Sequence, residues 1–114
     1  MRGYGKYGNH RVKVGSETFD SVREATRWGE LQLLLRAGLI GDLQRQVRYE
    51  LLPTQKDGKG KVLERSVTYI ADFVYTDKKS GKTVVEDTKG MRTKEYIIKR
   101  KLMLYIHNIR IAEI

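Results

Sequence analysis

The run from Val67 to Tyr75 narrows the fold more than any other stretch of the chain. Its β-branched and aromatic residues, Val67, Thr68, Tyr69, Ile70, Phe73, Val74 and Tyr75, read as a strand with apolar surroundings. One carboxylate, Asp72, interrupts it. Lys79-Ser80-Gly81 makes a turn, and Thr83 to Lys89 reads as the next strand, so the two are expected to pair antiparallel. An acid among such neighbours requires a hydrogen-bonding partner, a cation or a raised pKa. A strand-end aspartate tied to a backbone amide meets that requirement without any chemistry.

The flanking segments extend this to a mixed layer. Val12 to Val14 and Thr18-Phe19 fit a short hairpin turning at Gly15-Ser16. Asp20-Ser21 opens a helix that runs to about Ala37 and stops at Gly38, and Ser21-Val22-Arg23-Glu24 fits a capping box. Gln46 to Leu52 reads as a strand ending at Pro53. Lys56 to Lys61 is polar, glycine-rich and charged, as expected of a loop or hairpin tip. Thr93 to Ile106 reads as a second helix, with Ile98, Leu102 and Tyr105 on its core side, and Asn108 to Ile114 as a last strand. The order is helix, three strands, helix, strand, an α/β arrangement with helices covering a small mixed sheet.

The chain has 114 residues, 39% of them hydrophobic, which suits one compact domain. Residues 1–15 are expected to form a basic flexible arm and residues 16–114 the single domain. The formal net charge of +9 places a positive field on the surface and favours a polyanion, with nucleic acid ahead of an anionic membrane. No apolar run approaches the roughly 18 residues of a spanning helix, so no membrane partner is expected. The absence of cysteine excludes disulfide scaffolds and cysteine-based zinc sites and suits a reducing cytoplasm. No apolar signal core follows the basic N-terminus.

Side chains alternate along a strand, so Asp87 and Lys89 share a face, roughly 7 Å apart at their backbones, while Glu86 faces the other way. If the two strands form one hairpin, Asp72 and Asp87 meet near one end of it. Two carboxylates so placed favour a cation between them, and Mg²⁺ or Mn²⁺ suits oxygen donors. The carbonyl of Thr88 is a further candidate ligand. Lys89 would orient or help deprotonate a water, or stabilise charge on a phosphate. Glu24 shares a helix stripe with Trp28, Leu31 and Leu35, which makes it the candidate third acid, although the capping box claims it too. Glu30 is the backup acid, off that stripe. Gln46 is either a contact to the metal-bound water or a phosphate, or a buried structural amide. His10 and His107 have no metal-pair spacing.

These segments resemble the PD-(D/E)XK nuclease superfamily, in particular phage Holliday-junction resolvases of the endonuclease I group and related small phage nucleases. The resemblance is carried by Ser21-Val22-Arg23-Glu24, Thr68-Tyr69-Ile70-Ala71-Asp72-Phe73 and Val85-Glu86-Asp87-Thr88-Lys89-Gly90, in that order, and spans Phe19 to Ile106. It implies a restriction-endonuclease-like core (αβββαβ) and a Mg²⁺- or Mn²⁺-dependent endodeoxyribonuclease with no small-molecule cofactor. Asp72 and Asp87 would bind metal, Lys89 would assist the nucleophile and Glu24 would complete the acidic cluster. Two departures stand out. Ala71 occupies the place of the proline that often precedes the first aspartate. The second motif acid is Asp87 rather than glutamate, with Glu86 beside it but no lysine two residues after Glu86.

The second helix begins Arg92-Thr93-Lys94 and carries Lys99-Arg100-Lys101. With the acids nearby, these basic residues are the expected phosphate contacts, which position DNA without reading sequence. The resemblance implies a substrate selected by shape, such as a four-way junction, a homodimer to make two symmetric nicks, and action in the host-cell cytoplasm if the chain is phage-encoded. A less selective nickase within a phage complex and a non-catalytic DNA-binding module are the competing readings.

Overall fold

The computed structural model describes residues 11–88 and 91–114. The basic arm ahead of residue 11, with His10, and the pair Lys89-Gly90 lie outside the described residues. Strands β1 (Val12–Val14) and β2 (Glu17–Phe19) form the expected hairpin, with Val12 opposite Phe19. The domain therefore takes in residues placed by the sequence in the arm. Gly15, at φ 60°, supplies the left-handed turn.

Helix α1 (Val22–Arg36) begins at Ser21, whose hydroxyl accepts the Glu24 N–H at 3.1 Å. It ends at Gly38 in a Schellman pattern, in which Gly38 N–H donates to Leu35 and Leu39 N–H to Leu34, both at 3.0 Å. Strand β3 (Ile40–Leu52) starts six residues before the expected Gln46. A left-handed Asp42 (φ 52°) sits in the register shift between Gly41 and Gln44, and the bulge hides the strand's early half from a simple alternation test. Next come a small hairpin, β4 (Gln55–Lys56) with β5 (Val62–Glu64), the central strand β6 (Val67–Asp77) and β7 (Thr83–Asp87). Helix α2 (Lys94–His107) carries the chain over to β8 (Ala112–Glu113). The last strand is shorter than expected, because only Ala112 and Glu113 take up a register with β7, with Ile114 N–H adding one bond to the Asp87 carbonyl at 3.0 Å.

The main sheet is mixed, in the order β3-β6-β7-β8. Its first three strands are antiparallel, and β8 runs parallel to β7, which requires the α2 crossover. The helices cover opposite faces. On the α1 side Leu31, Ile40, Phe73 and Tyr75 are buried, with Trp28, Leu34, Leu43 and Val84 packed on them. On the α2 side the core is Leu51, Tyr69, Ala71, Val74, Val85, Tyr96, Met103 and Ile111. Two apolar assignments made from helical spacing are overturned. Ile98 is 58% and Tyr105 87% exposed, while Tyr96 and Met103 take the core positions. The α2 contact is one narrow stripe, and an apolar repeat shifted around the helix faces outward. Leu35, at the far end of the α1 stripe, is also exposed.

One detail of the sheet prepares the site. Val47, Tyr49, Tyr69 and Ala71 belong to the α2 side, yet Leu43 and Phe73, at the same alternation parity, belong to the α1 side. Strands β3 and β6 thus exchange faces together, at Gln46 and Asp72. Gln46 has φ 54°, a left-handed backbone that a non-glycine residue adopts at a cost. Asp72 is therefore delivered toward the rim of the sheet and not into either core.

Candidate metal and DNA site

Asp72, Asp87 and Thr88 come together at the end of β7. One carboxylate oxygen of Asp72 accepts both the Thr88 backbone N–H at 2.7 Å and the Thr88 hydroxyl at 2.8 Å. This is the backbone tie that a purely structural aspartate would make, and it fastens Asp72 to the residue beside Asp87. Asp87 is buried, and Oδ2 accepts the Tyr69 hydroxyl at 2.6 Å. Burial above all, then the Asp87 contact and, more weakly, the charge of Asp72, push the Tyr69 phenol far above its usual range. Both acids thus act on one hydroxyl.

Glu24 approaches from the start of α1 and is 3% exposed. Its carboxylate accepts the Asp20 backbone N–H and the Gln46 side-chain amide, each at 3.1 Å. The capping box is therefore half formed: Ser21 caps Glu24, but the carboxylate reaches back to Asp20 and not to Ser21. Burial first, then the charge of Asp72, raise the Glu24 pKa. Arg45 opposes that rise from 3.7 Å. The guanidinium of Arg45 lies over the Phe19 ring, 4.0 Å from its centroid, and also pairs with Glu17. Gln46 is exposed at the rim, so the buried-amide reading fails, and its amide positions Glu24. Glu30 is not brought to this corner; it pairs with Arg27 at 2.9 Å on an exposed flank.

Glu86, beside Asp87, goes to the other face. Arg27 grips both its oxygens, from Nε at 2.8 Å and Nη2 at 2.6 Å, and the Tyr75 hydroxyl donates to it as well. The Tyr75 phenol is raised to about 12, by burial first and then by Glu86.

A family model described as "Protein of unknown function (DUF1064)" matches residues 4–112. The chain belongs to this family. No curated protein and no solved structure matches it. The matched span takes in Glu24, Asp72, Asp87 and Thr88, so the corner belongs to the family's own part of the chain.

Among the described residues, no group of three or more His, Asp or Glu converges tightly enough to hold a metal unaided. Magnesium does not demand such a group, because it keeps several waters and binds through one or two carboxylates. Two aspartates and the Thr88 carbonyl are an all-oxygen donor set of that kind. Lys89 falls outside the described residues.

The basic residues of α2 divide into two sets. Lys94 and Lys101 are exposed. Arg92 and Arg100 are instead held by Glu113, at 2.9 and 3.0 Å, and Tyr96 donates to the same carboxylate at 2.7 Å. Lys99 stands 3.7 Å from Glu95. Glu113 is opposite Asp87 in the β7–β8 register, and the sequence reading missed it. The only signal was an acid in a short apolar C-terminal run. Arg45 was missed as well, since nothing in the sequence announces that it stacks on Phe19. His107, exposed at the end of α2, contacts the Glu50 carbonyl at 2.7 Å. Among the described residues, no helix is long and apolar enough to cross a membrane.

Proposed function

We propose that this protein is a metal-dependent DNA endonuclease that hydrolyses phosphodiester bonds, with Asp72, Asp87 and the Thr88 carbonyl as ligands for Mg²⁺ or Mn²⁺. The observation that carries the reading is the double hydrogen bond from Thr88 to Asp72. It locks two acids 15 positions apart into one corner, next to a third, buried acid whose proton affinity one of them raises. The order helix, three antiparallel strands, crossover helix, parallel strand also supports the restriction-endonuclease-like core named above. A bound divalent ion would supply Lewis acidity and a more acidic water.

The residues divide the remaining work. Thr88 and Tyr69 fix the orientation of the two aspartates. Glu24, held by Gln46, adds negative charge on the side of α1. Lys89, next along from Thr88, is assigned to the nucleophile or to charge on the phosphate. Exposed Lys94 and Lys101 contact the DNA backbone, joined by Lys99 and, when they leave Glu113, by Arg92 and Arg100. A branched substrate such as a four-way junction, nicked symmetrically, calls for a homodimer, and the cytoplasm is the proposed place of action, the host cell's if the chain is phage-encoded.

The test is cutting of an end-labelled four-way junction in Mg²⁺ or Mn²⁺ by the wild type, Asp87→Asn and Lys89→Ala. Cutting by the wild type and its loss in both variants is expected. Variants that cut at the wild-type rate overturn the site, and equal rates on junction, flap and duplex overturn the preference for branches.

A further inference from the structure

We infer that the β3–β6 ribbon beyond Asp72, continued by the β4–β5 hairpin, is an arm that lies along duplex DNA and holds its backbone away from the cut. The inference rests on the nuclease reading for its partner, and on geometry alone for its shape.

Strand β7 pairs with β6 only between Phe73 and Thr76, whereas β3 follows β6 from Asp77 out to Val67. Among the described residues, the sheet from Asp72 outward is thus a two-stranded ribbon. Five residues of overhang carry it ~17 Å past the acids, about half a turn of duplex. Helix α2 covers one face of this ribbon through Val47, Tyr49, Leu51 and Tyr69. On the opposite face Gln46, whose amide meets Glu24 of α1, is followed by Arg48, Glu50 and Ile70, and all four are exposed. Arg48, opposite Ile70 in the register, is the cation among those four residues.

The hairpin continues outward from the ribbon. Every residue from 53 to 66 except Asp57 is exposed, so this segment adds nothing to the core. It carries Lys56, Lys59, Lys61 and Arg65 against Asp57 and Glu64. Asp57 is occupied in building the tip: its carboxylate accepts the N–H of Lys59 at 2.8 Å and of Lys61 at 2.9 Å. The tip lysines therefore sit on a fixed turn, which lowers the ordering cost of binding. A two-stranded ribbon also has the width to enter a major groove of ~12 Å. A projecting, pre-formed and cationic strip that begins at the candidate acids fits a polyanion whose length exceeds the site. It contacts phosphates and reads no sequence.

The experiment measures binding of a duplex of about 30 base pairs in metal-free buffer, where cutting cannot intervene, across a salt series. The variants are the triple Lys56→Gln/Lys59→Gln/Lys61→Gln and the single Arg48→Gln, each with its melting temperature as a check on folding. Each lost phosphate contact removes about 0.9 from the slope of log affinity against log salt, so the triple variant is expected to lose roughly 2 to 3 and Arg48→Gln about 1. On a duplex of about 8 base pairs, too short to reach the tip, the triple variant is expected to match the wild type. An unchanged slope on the long duplex overturns the arm and leaves the nuclease reading standing. An equal loss on the short duplex also overturns it, by placing the lysines beside the cut. Loss of binding only to vesicles of anionic lipid would assign the hairpin to a membrane surface instead, and a wild type that binds no DNA sinks the nuclease reading itself.

Discussion

Glu86 and Asp87 are adjacent on β7 and equally buried, at 1% and 2% exposure, yet they sit in opposite electrostatic settings. Glu86 faces α1 and is met by a bidentate guanidinium and a phenol. Asp87 faces the other side and belongs to a corner that gathers acids: Asp72 through Thr88, Glu24 through Asp72, and Glu113 on the next strand. On the proposed reading Glu86 holds the fold and Asp87 serves the reaction, and burial alone fails to separate the two. The charge collected around each differs: a guanidinium meets Glu86, whereas Asp87 takes a neutral phenol beside Asp72, and on the proposed reading a bound cation offsets those two acids.

Substitutions can sharpen or break this contrast. Asp87→Asn should cut junction DNA about a thousandfold more slowly, ~4 kcal/mol in barrier height, with thermal stability held or raised. A variant that instead unfolds while its folded fraction still cuts would reverse the two roles. Arg27→Ala should do the opposite. It leaves Glu86 charged and buried, a change that costs about 3 kcal/mol in urea unfolding, the low end for a broken buried pair because Arg27 keeps some solvent. Cutting per folded molecule should stay unchanged. A divalent ion that binds only the folded state at about 100 times its Kd adds roughly 2.7 kcal/mol of stability. Manganese should therefore raise the melting temperature of the wild type and of Arg27→Ala, and leave Asp87→Asn where it was. A shift of equal size in all three would place the ion elsewhere.

Much of this contrast was legible in the sequence. The alternation Val84-Val85-Glu86-Asp87 puts the two acids on opposite faces, and the apolar run around Asp72 marks that residue as anomalous. Helix α1, with Ser21 before it and Gly38 after it, carries start and stop signals that the chain uses. What stayed hidden depends on contacts between segments distant in sequence. The partner of Glu86 is 59 residues away, and no local pattern selects Arg27 from the many cations. The exchange of faces at Gln46 and Asp72 needs a left-handed residue in mid-strand, which alternation cannot foresee. The outward-facing Ile98 and Tyr105 have the same helical spacing as core residues, so only the orientation of α2 on the sheet tells them apart.

Glu113 tests the contrast at its smallest scale, because it lies next to Asp87 but is dressed like Glu86. The Tyr96 hydroxyl first, then Arg92 and, with a lesser share, Arg100, hold its pKa down from 4.5 to about 2. A carboxylate whose folded pKa is depressed contributes stability that is fully present above its unfolded value and is lost as pH falls through the folded one. The carboxylate is partly exposed, so solvent screens the pairs and leaves about 1 kcal/mol. Glu113→Gln should therefore be less stable than the wild type by about that amount at neutral pH, and the gap should close as pH falls from 4.5 toward about 2. The same change releases Arg92 and Arg100. If those arginines reach phosphates, Glu113→Gln binds DNA more tightly and with a steeper salt dependence than the wild type. Unchanged DNA affinity beside a measurable stability loss would place the trio with Arg27 and Glu86, as part of what holds the sheet and not of what meets the substrate.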